Sequence, residues 1–154
     1  MELDSTFMMI LNSLKDNNGY DDSVFDEFID KFEEEYTLCK KYLSKKLTNF
    51  LEKNDFLHDS IIAGLSVNRY LSNKNYLCDI KLQIITPKDR KVYTIIYQKV
   101  SKFTFEKYTE SDSGWAWGYG YIKKLVDNCF EQGIICFPCI LIKIKCKKIV
   151  LRLE

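Results

Sequence analysis

Two hydrophobic rhythms divide the chain. Up to about residue 53, apolar side chains recur every three or four positions. Leu3, Phe7, Ile10, Leu11 and Leu14 form one set; Phe25, Phe28, Ile29, Phe32, Tyr36, Cys39, Leu43, Leu47 and Phe50 form the next. Such spacing lines up one face of an amphipathic helix. The first stripe stops at "NNG", residues 17–19. The second opens at "YDDSV", where Ser23 or Asp22 is expected to accept from the orphan amides of the first turn. Asp21, Asp22, Asp26 and Glu27 then sit at the positive end of the helix dipole, and Lys40, Lys41, Lys45, Lys46 and Lys53 toward its negative end. The stripe predicts one long helix or two in line, with no proline to mark a break.

From Leu57 onward the period falls to two, the signature of half-buried strands. "SIIAGLSVNRYL" and "YLCDIKLQIIT" read as strands joined through "SNKN", with Cys78, Ile80, Leu82 and Ile84 on one face. "TPKDRK" supplies a turn into "VYTIIYQKVSKFTF", and "GIICF" leads through Pro138 into "ILIKIKCKKIVLRL". In two of these strands the alternation slips by one residue, from Tyr97 to Val100 and from Cys146 to Ile149. A slip of that kind keeps the apolar side chains on the core face only if one residue bulges out. The expectation is therefore two long, bent antiparallel strands. The predicted fold class is α+β: N-terminal helices packed on one face of an antiparallel sheet of about five strands, with a short helix before the last hairpin.

That short helix is expected within "SDSGWAWGYGYIKK", residues 111–124. As a strand, this stretch would set Trp115, Trp117, Tyr119 and Tyr121 on one face opposite only Ala116, Gly118 and Gly120. As a helix from Ser113 or Gly114, becoming regular near Tyr119, it would bury Trp115, Tyr119, Ile122 and Leu125. Trp117 and Tyr121 would then form a surface patch, and rings of this kind dominate binding hot spots.

Length and composition fit one domain, 1–154, with an acidic helical part (1–54) and a basic sheet part (55–154). The net charge of +1 hides an imbalance. Residues 1–60 carry 14 acidic against 7 basic side chains, and residues 61–154 carry 8 against 16. The basic part holds only Arg69, Arg90 and Arg152, which disfavours nucleic acid as a partner. No apolar run is long enough to span a bilayer, and "MELDSTFMMILNSLKDNN" does not read as a secretory signal, so a cytoplasmic protein is expected.

Cys129, Cys136, Cys139 and Cys146 follow C-x6-C-x2-C-x6-C. Two thiolates flanking a turn can hold half of a tetrahedral zinc site. The six-residue gaps and the apolar surroundings favour packing cysteines instead, and no metal or cofactor is expected. His58 is the single histidine, in "FLHDSII". Adjacent residues cannot form a triad, so a structural corner is favoured, with Asp59 or Ser60 bonding turn amides and His58 bridging backbone groups of helix and sheet.

"FLHDSII", "YTIIYQKVSKF", "WAWGYGYIKKL" and "LIKIKCKKIVL" together resemble segments of small bacterial α+β proteins in which a Leu/Phe-His-Asp-Ser step opens the sheet. The resemblance covers about residues 50 to 153. Some such proteins resemble immunity proteins encoded beside secreted polymorphic toxins. What this implies is a non-enzymatic protein that binds a cognate toxin, such as a nuclease with a basic cleft, and occludes its active site. Asp21, Asp22, Asp26, Glu33, Glu34 and Glu35 would then face the toxin, with Trp117 and Tyr121 as a second contact. The alternative class is a small-molecule-binding or enzymatic domain using the aromatic stretch 115–121 and His58.

Overall fold

The computed structural model describes residues 2–16, 21–110 and 115–154. The expected stop at residues 17–19 and the expected helix start at Ser113 or Gly114 lie outside them. Three helices come first: α1 (Leu3–Lys15), α2 (Asp22–Lys40) and α3 (Lys45–Lys53). Asp21, rather than Ser23 or Asp22, caps α2, because its extended backbone turns the carboxylate onto the Ser23 amide at 3.0 Å. The stripe from Phe25 to Phe50 is two helices. Ser44 makes the break, its Oγ accepting from the Leu47 amide at 3.2 Å to start α3. Lys40 and Glu52 tie α2 to α3 at 2.7 Å. No helix among the described residues is long and apolar enough to cross a membrane.

Eight strands follow: β1 (Ile61–Ser72), β2 (Asn75–Ile85), β3 (Val92–Gln98), β4 (Lys102–Lys107), β5 (Ala116–Lys124), β6 (Phe130–Phe137), β7 (Ile140–Cys146) and β8 (Lys148–Leu153). All ladders are antiparallel, in the order β4-β7-β6-β5-β1-β2-β3-β8. The sheet thus has eight strands where about five were expected. Two of the additions come from the predicted slips. At each one the chain interrupts its ladder, dividing β3 from β4 at Lys99 (φ 54°) and β7 from β8 at Lys147. The third is β5, which takes the place of the expected helix. Only a three-residue 3-10 turn, Val126–Asn128, precedes the last hairpin.

The two bent segments pair with each other over their whole length. β3 runs beside β8 and β4 beside β7, and backbone bonds from Ser101 N to Lys145 O and from Lys147 N to Gln98 O bridge the bulges. Chain continuity therefore joins the two ends of the strand order and the sheet curls round. Inside the curl, Ile80, Leu82, Ile84, Ile95, Ile134, Ile142 and Ile144 are almost wholly buried. The Tyr97 hydroxyl bonds across it to Gln132, from β3 to β6. The outer face of β5 and its neighbours carries α1 and α2. Phe7 meets Tyr121 edge-on at 4.8 Å, and Phe25 meets Tyr119 at 5.6 Å. The β1–β2 hairpin outruns its partners. Beyond the last β2–β3 pair, Ile80 with Tyr97, it continues as two strands carrying exposed Leu71 and Tyr76.

Gly133 lies beneath Tyr121, and a Cβ there would sit 2.4 Å from the ring, which Phe7 also meets edge-on. Gly133→Ala is expected to cost about 1–3 kcal/mol of stability. At Gly64 the added methyl meets only the Oε1 of exposed Gln83, which can swing away, so Gly64→Ala is expected to stay within about 0.5 kcal/mol of the parent. Urea denaturation midpoints at constant slope check both; equal losses would show that the Tyr121 ring is not held as described.

Candidate functional site

β1 and β5 share only one residue pair, Ile61 with Ala116, before they separate. Three backbone bonds stitch the seam just there: Asp59 N to Trp117 O at 2.9 Å, Trp117 N to Ser60 O at 2.8 Å, and Ile62 N to Trp115 O at 2.9 Å. Past this point the edge of β5 is open to the side. α2 and residues 54–58 come together there and leave a pocket of about 190 Å³. Phe25, Phe28, Ile29 and Phe32 line it from α2; Asp55, Phe56 and His58 line it from the turn; Gly118, Tyr119 and Gly120 line it from β5.

Gly118 explains how rings and backbone come to share this space. It is a β-bulge: Trp117 opposes Cys136 and Tyr119 opposes Ile135, leaving Gly118 with no residue across from it. One extra residue reverses the sides on which the following side chains stand. Trp117 therefore faces the inside of the curl with Gly120 and Ile122, while Tyr119 and Tyr121 face the helices. The expected surface patch is overturned by this. Trp117 is 2% exposed and Tyr121 is 1% exposed. The half-buried rings are Trp115 and Tyr119, which had been expected in the core. Tyr121 is held further by its hydroxyl, which donates to Glu131 Oε1 at 2.7 Å; burial, then Glu131, pushes its pKa far up.

The freed carbonyl of Gly118 has a partner: His58 Nδ1 lies 2.7 Å from it. A carbonyl can only accept, so Nδ1 carries a proton and donates it. Asp59 Oδ1 stands 3.6 Å from Nε2, beyond hydrogen-bond range. His58 thus bridges the turn to the sheet through the imidazole. Its side chain is half exposed at the mouth of the pocket, with the Tyr119 ring 6.4 Å away between centroids. The turn that carries it is strained. Asp55, Phe56, Leu57 and Asp59 have φ of 50°, 51°, 70° and 65°. Each left-handed non-glycine residue costs about 1–2 kcal/mol. Burial of Leu57 and edge contacts of Phe56 with Phe32 (5.1 Å) and Tyr36 (4.9 Å) offset that cost.

The acidic residues singled out in the sequence lie on α2 or at its cap. Asp21, Asp22, Asp26, Glu33 and Glu34 are exposed, and Glu35 is half-buried. Asp21 is committed to the cap. Asp22, Asp26, Asp30, Glu33 and Glu34 form one outward stripe about 18 Å long at 1.5 Å rise per residue. Lys31 pairs with Glu34 at 3.5 Å within it. Leu38, 64% exposed, closes the stripe beside Thr37.

The cysteines are dispersed. Cys136 opposes Ile140 and Cys146 opposes Phe130, at the two ends of the β6–β7 ladder, about 20 Å apart along an extended strand. Among the described residues no group of three His, Cys, Asp or Glu side chains converges as a metal site would require. Burial pushes the Cys39, Cys136 and Cys146 thiols up to about 12. The chain matches no protein-family model and no curated protein sequence.

A raised thiol pKa means very little thiolate near neutral pH, and thiolate is the reactive form. At pH 8 a maleimide or disulfide reagent is expected to modify half-buried Cys78 first, and all six cysteines only after unfolding. Rapid labelling of Cys136 or Cys146 in the folded protein, read by peptide mass mapping, would contradict the burial described.

Proposed function

We propose that this chain is an immunity-type binding protein, which captures a cognate toxin of basic surface and covers its active site without chemistry of its own. The carboxylate stripe of α2 carries the reading. Five acidic side chains point to solvent along a single rigid helix, with a large apolar residue, Leu38, at the end of the row. Like charges held in line repel one another and raise the cost of a bare helix surface. A cationic partner relieves that repulsion and is drawn in from a distance. The resemblance of residues 50 to 153 to proteins of this kind points the same way. Trp117 and Tyr121, being buried, drop out of the contact surface, and Leu38 takes the anchoring part.

The division of labour is charge for encounter and Leu38 for residence. With the toxin captured on the tagged chain, the association rate is expected to fall at least about tenfold between roughly 50 mM and 500 mM salt. Asp26→Lys with Glu33→Lys should slow association and flatten the salt dependence, whereas Leu38→Ala should mainly speed dissociation. Cells producing the toxin domain should regain growth when this chain is co-produced. An association rate indifferent to both salt and charge reversal would remove the acidic stripe from the mechanism.

A further inference from the structure

The pocket between α2 and β5 carries chemistry that binding a protein along the α2 stripe leaves unused. Five rings line it: Phe25, Phe28, Phe32, Phe56 and Tyr119. They do not form one stack. Phe25 meets Tyr119 at 70° and 5.6 Å, Phe28 meets it at 88° and 6.3 Å, and Phe32 meets Phe56 at 83° and 5.1 Å. Rings set near right angles border a space from several directions, as a single stack cannot. The face of each ring is electron-rich and attracts a cation within about 6 Å of its centre.

Fixed charge at the pocket has one sign. The lining includes a carboxylate, Asp55, and neither lysine nor arginine. Among the described residues Asp55 has no salt-bridge partner. Asp59 is exposed beside the same mouth. On α2, Asp26 and Glu33 lie three residues before and four after Ile29, so they flank this rim residue on the helix surface. A cation nearing the mouth therefore meets carboxylates from both walls. The wall that supplies Asp55 and Phe56 is the strained turn, and strain of this sort concentrates at ligand sites.

We propose that the pocket binds a quaternary ammonium group, its methyls against the rings and its charge beside Asp55. Hydrogen-bonding capacity narrows the class. A primary ammonium brings three N–H donors, and leaving one bare in an apolar site is costly. Acceptors are few among these aromatic walls, and the Gly118 carbonyl already accepts from His58 Nδ1 at 2.7 Å. A fully alkylated ammonium has no N–H to satisfy. Size agrees. A cavity of about 150 Å³ takes a benzene ring, and a trimethylammonium group is of similar bulk. The present 190 Å³ admits that group with a short stem and nothing as large as a nucleotide. The assignment does not depend on the toxin reading: it concerns a different surface and a different class of ligand.

Choline and 3,3-dimethylbutan-1-ol test it, since they share a shape and differ by a carbon in place of the charged nitrogen. Each is titrated into the isotopically labelled full chain at pH 8, on the neutral side of the histidine range, and backbone amide resonances are followed. The expected result is saturable binding of choline at about 1 mM or tighter, with the neutral alcohol at least about fivefold weaker. Shifts should fall on the turn 54–59, on 118–120 and on the inward face of α2. Asp55→Asn retains a residue suited to the left-handed backbone at φ 50°. It should weaken choline about threefold and leave the alcohol unchanged. Phe25→Leu should also weaken choline; if that variant does not fold, the parent chain and Asp55→Asn decide. Phosphatidylcholine vesicles identify the source: co-sedimentation that free choline blocks assigns a lipid headgroup, and choline binding without it assigns a free solute, both sustaining the site. Absence of saturable choline binding, shifts confined to the outer carboxylate stripe, or alcohol binding as tight as choline overturns the proposal.

Discussion

The pairing of two bent segments, residues 92–107 and 140–153, is the constraint on which the architecture depends. Each must satisfy its backbone groups on both sides of a bulge, and each does so against the other. A flat sheet could not accommodate this, because the two halves of each segment also take different second neighbours. β3 lies beside β2, and β7 lies beside β6. The sheet therefore turns through the bulges, and its inner residues from β2, β3, β6, β7 and β8 face one another. Tyr97 and Gln132 reach across that interior to satisfy each other, as a buried hydroxyl and a buried amide must.

Curling has one weak place, where β5 returns to β1. A single residue pair and three backbone bonds hold the seam, and the chain spends a strained turn, a bulge and a histidine on covering the rest. The cover is incomplete. What remains is the aromatic pocket, bounded by α2 because that helix packs on Tyr119. The acidic stripe and the pocket thus belong to neighbouring faces of one helix: Phe25, Phe28, Ile29 and Phe32 turn inward, while Asp22, Asp26, Asp30 and Glu33 turn outward.

Much of this was readable in the order of residues. The two helical stripes, the Cys78–Ile84 face and the slips at Tyr97–Val100 and Cys146–Ile149 all correspond to elements described here. A hydrophobic period reports local burial, and burial in those elements is regular. The region 115–121 was not readable in the same way. Its alternation is broken by a bulge that only the partner strand reveals, since Gly118 counts as one residue in sequence and as none in the ladder. Read instead as a loop that becomes a helix near Tyr119, the stretch sends Trp117 and Tyr121 outward and Trp115 and Tyr119 into the core. The pocket was hidden for a related reason. Phe25 to Phe32 read as ordinary core, and nothing local to them says that a strand segment distant in sequence, Gly118 to Gly120, lines a pocket opposite them. A glycine pair spaced by one aromatic, Gly118-Tyr119-Gly120, was the available signal.

Trp115 and Trp117 are the two tryptophans of the chain, and both flank the same seam. One is half-buried against Phe105 and the other is enclosed. Indole emission shifts in colour and intensity with the polarity around the ring. The molecule accordingly carries its own optical gauge, trained on the join where the sheet meets itself and dark to events at the far hairpin tip.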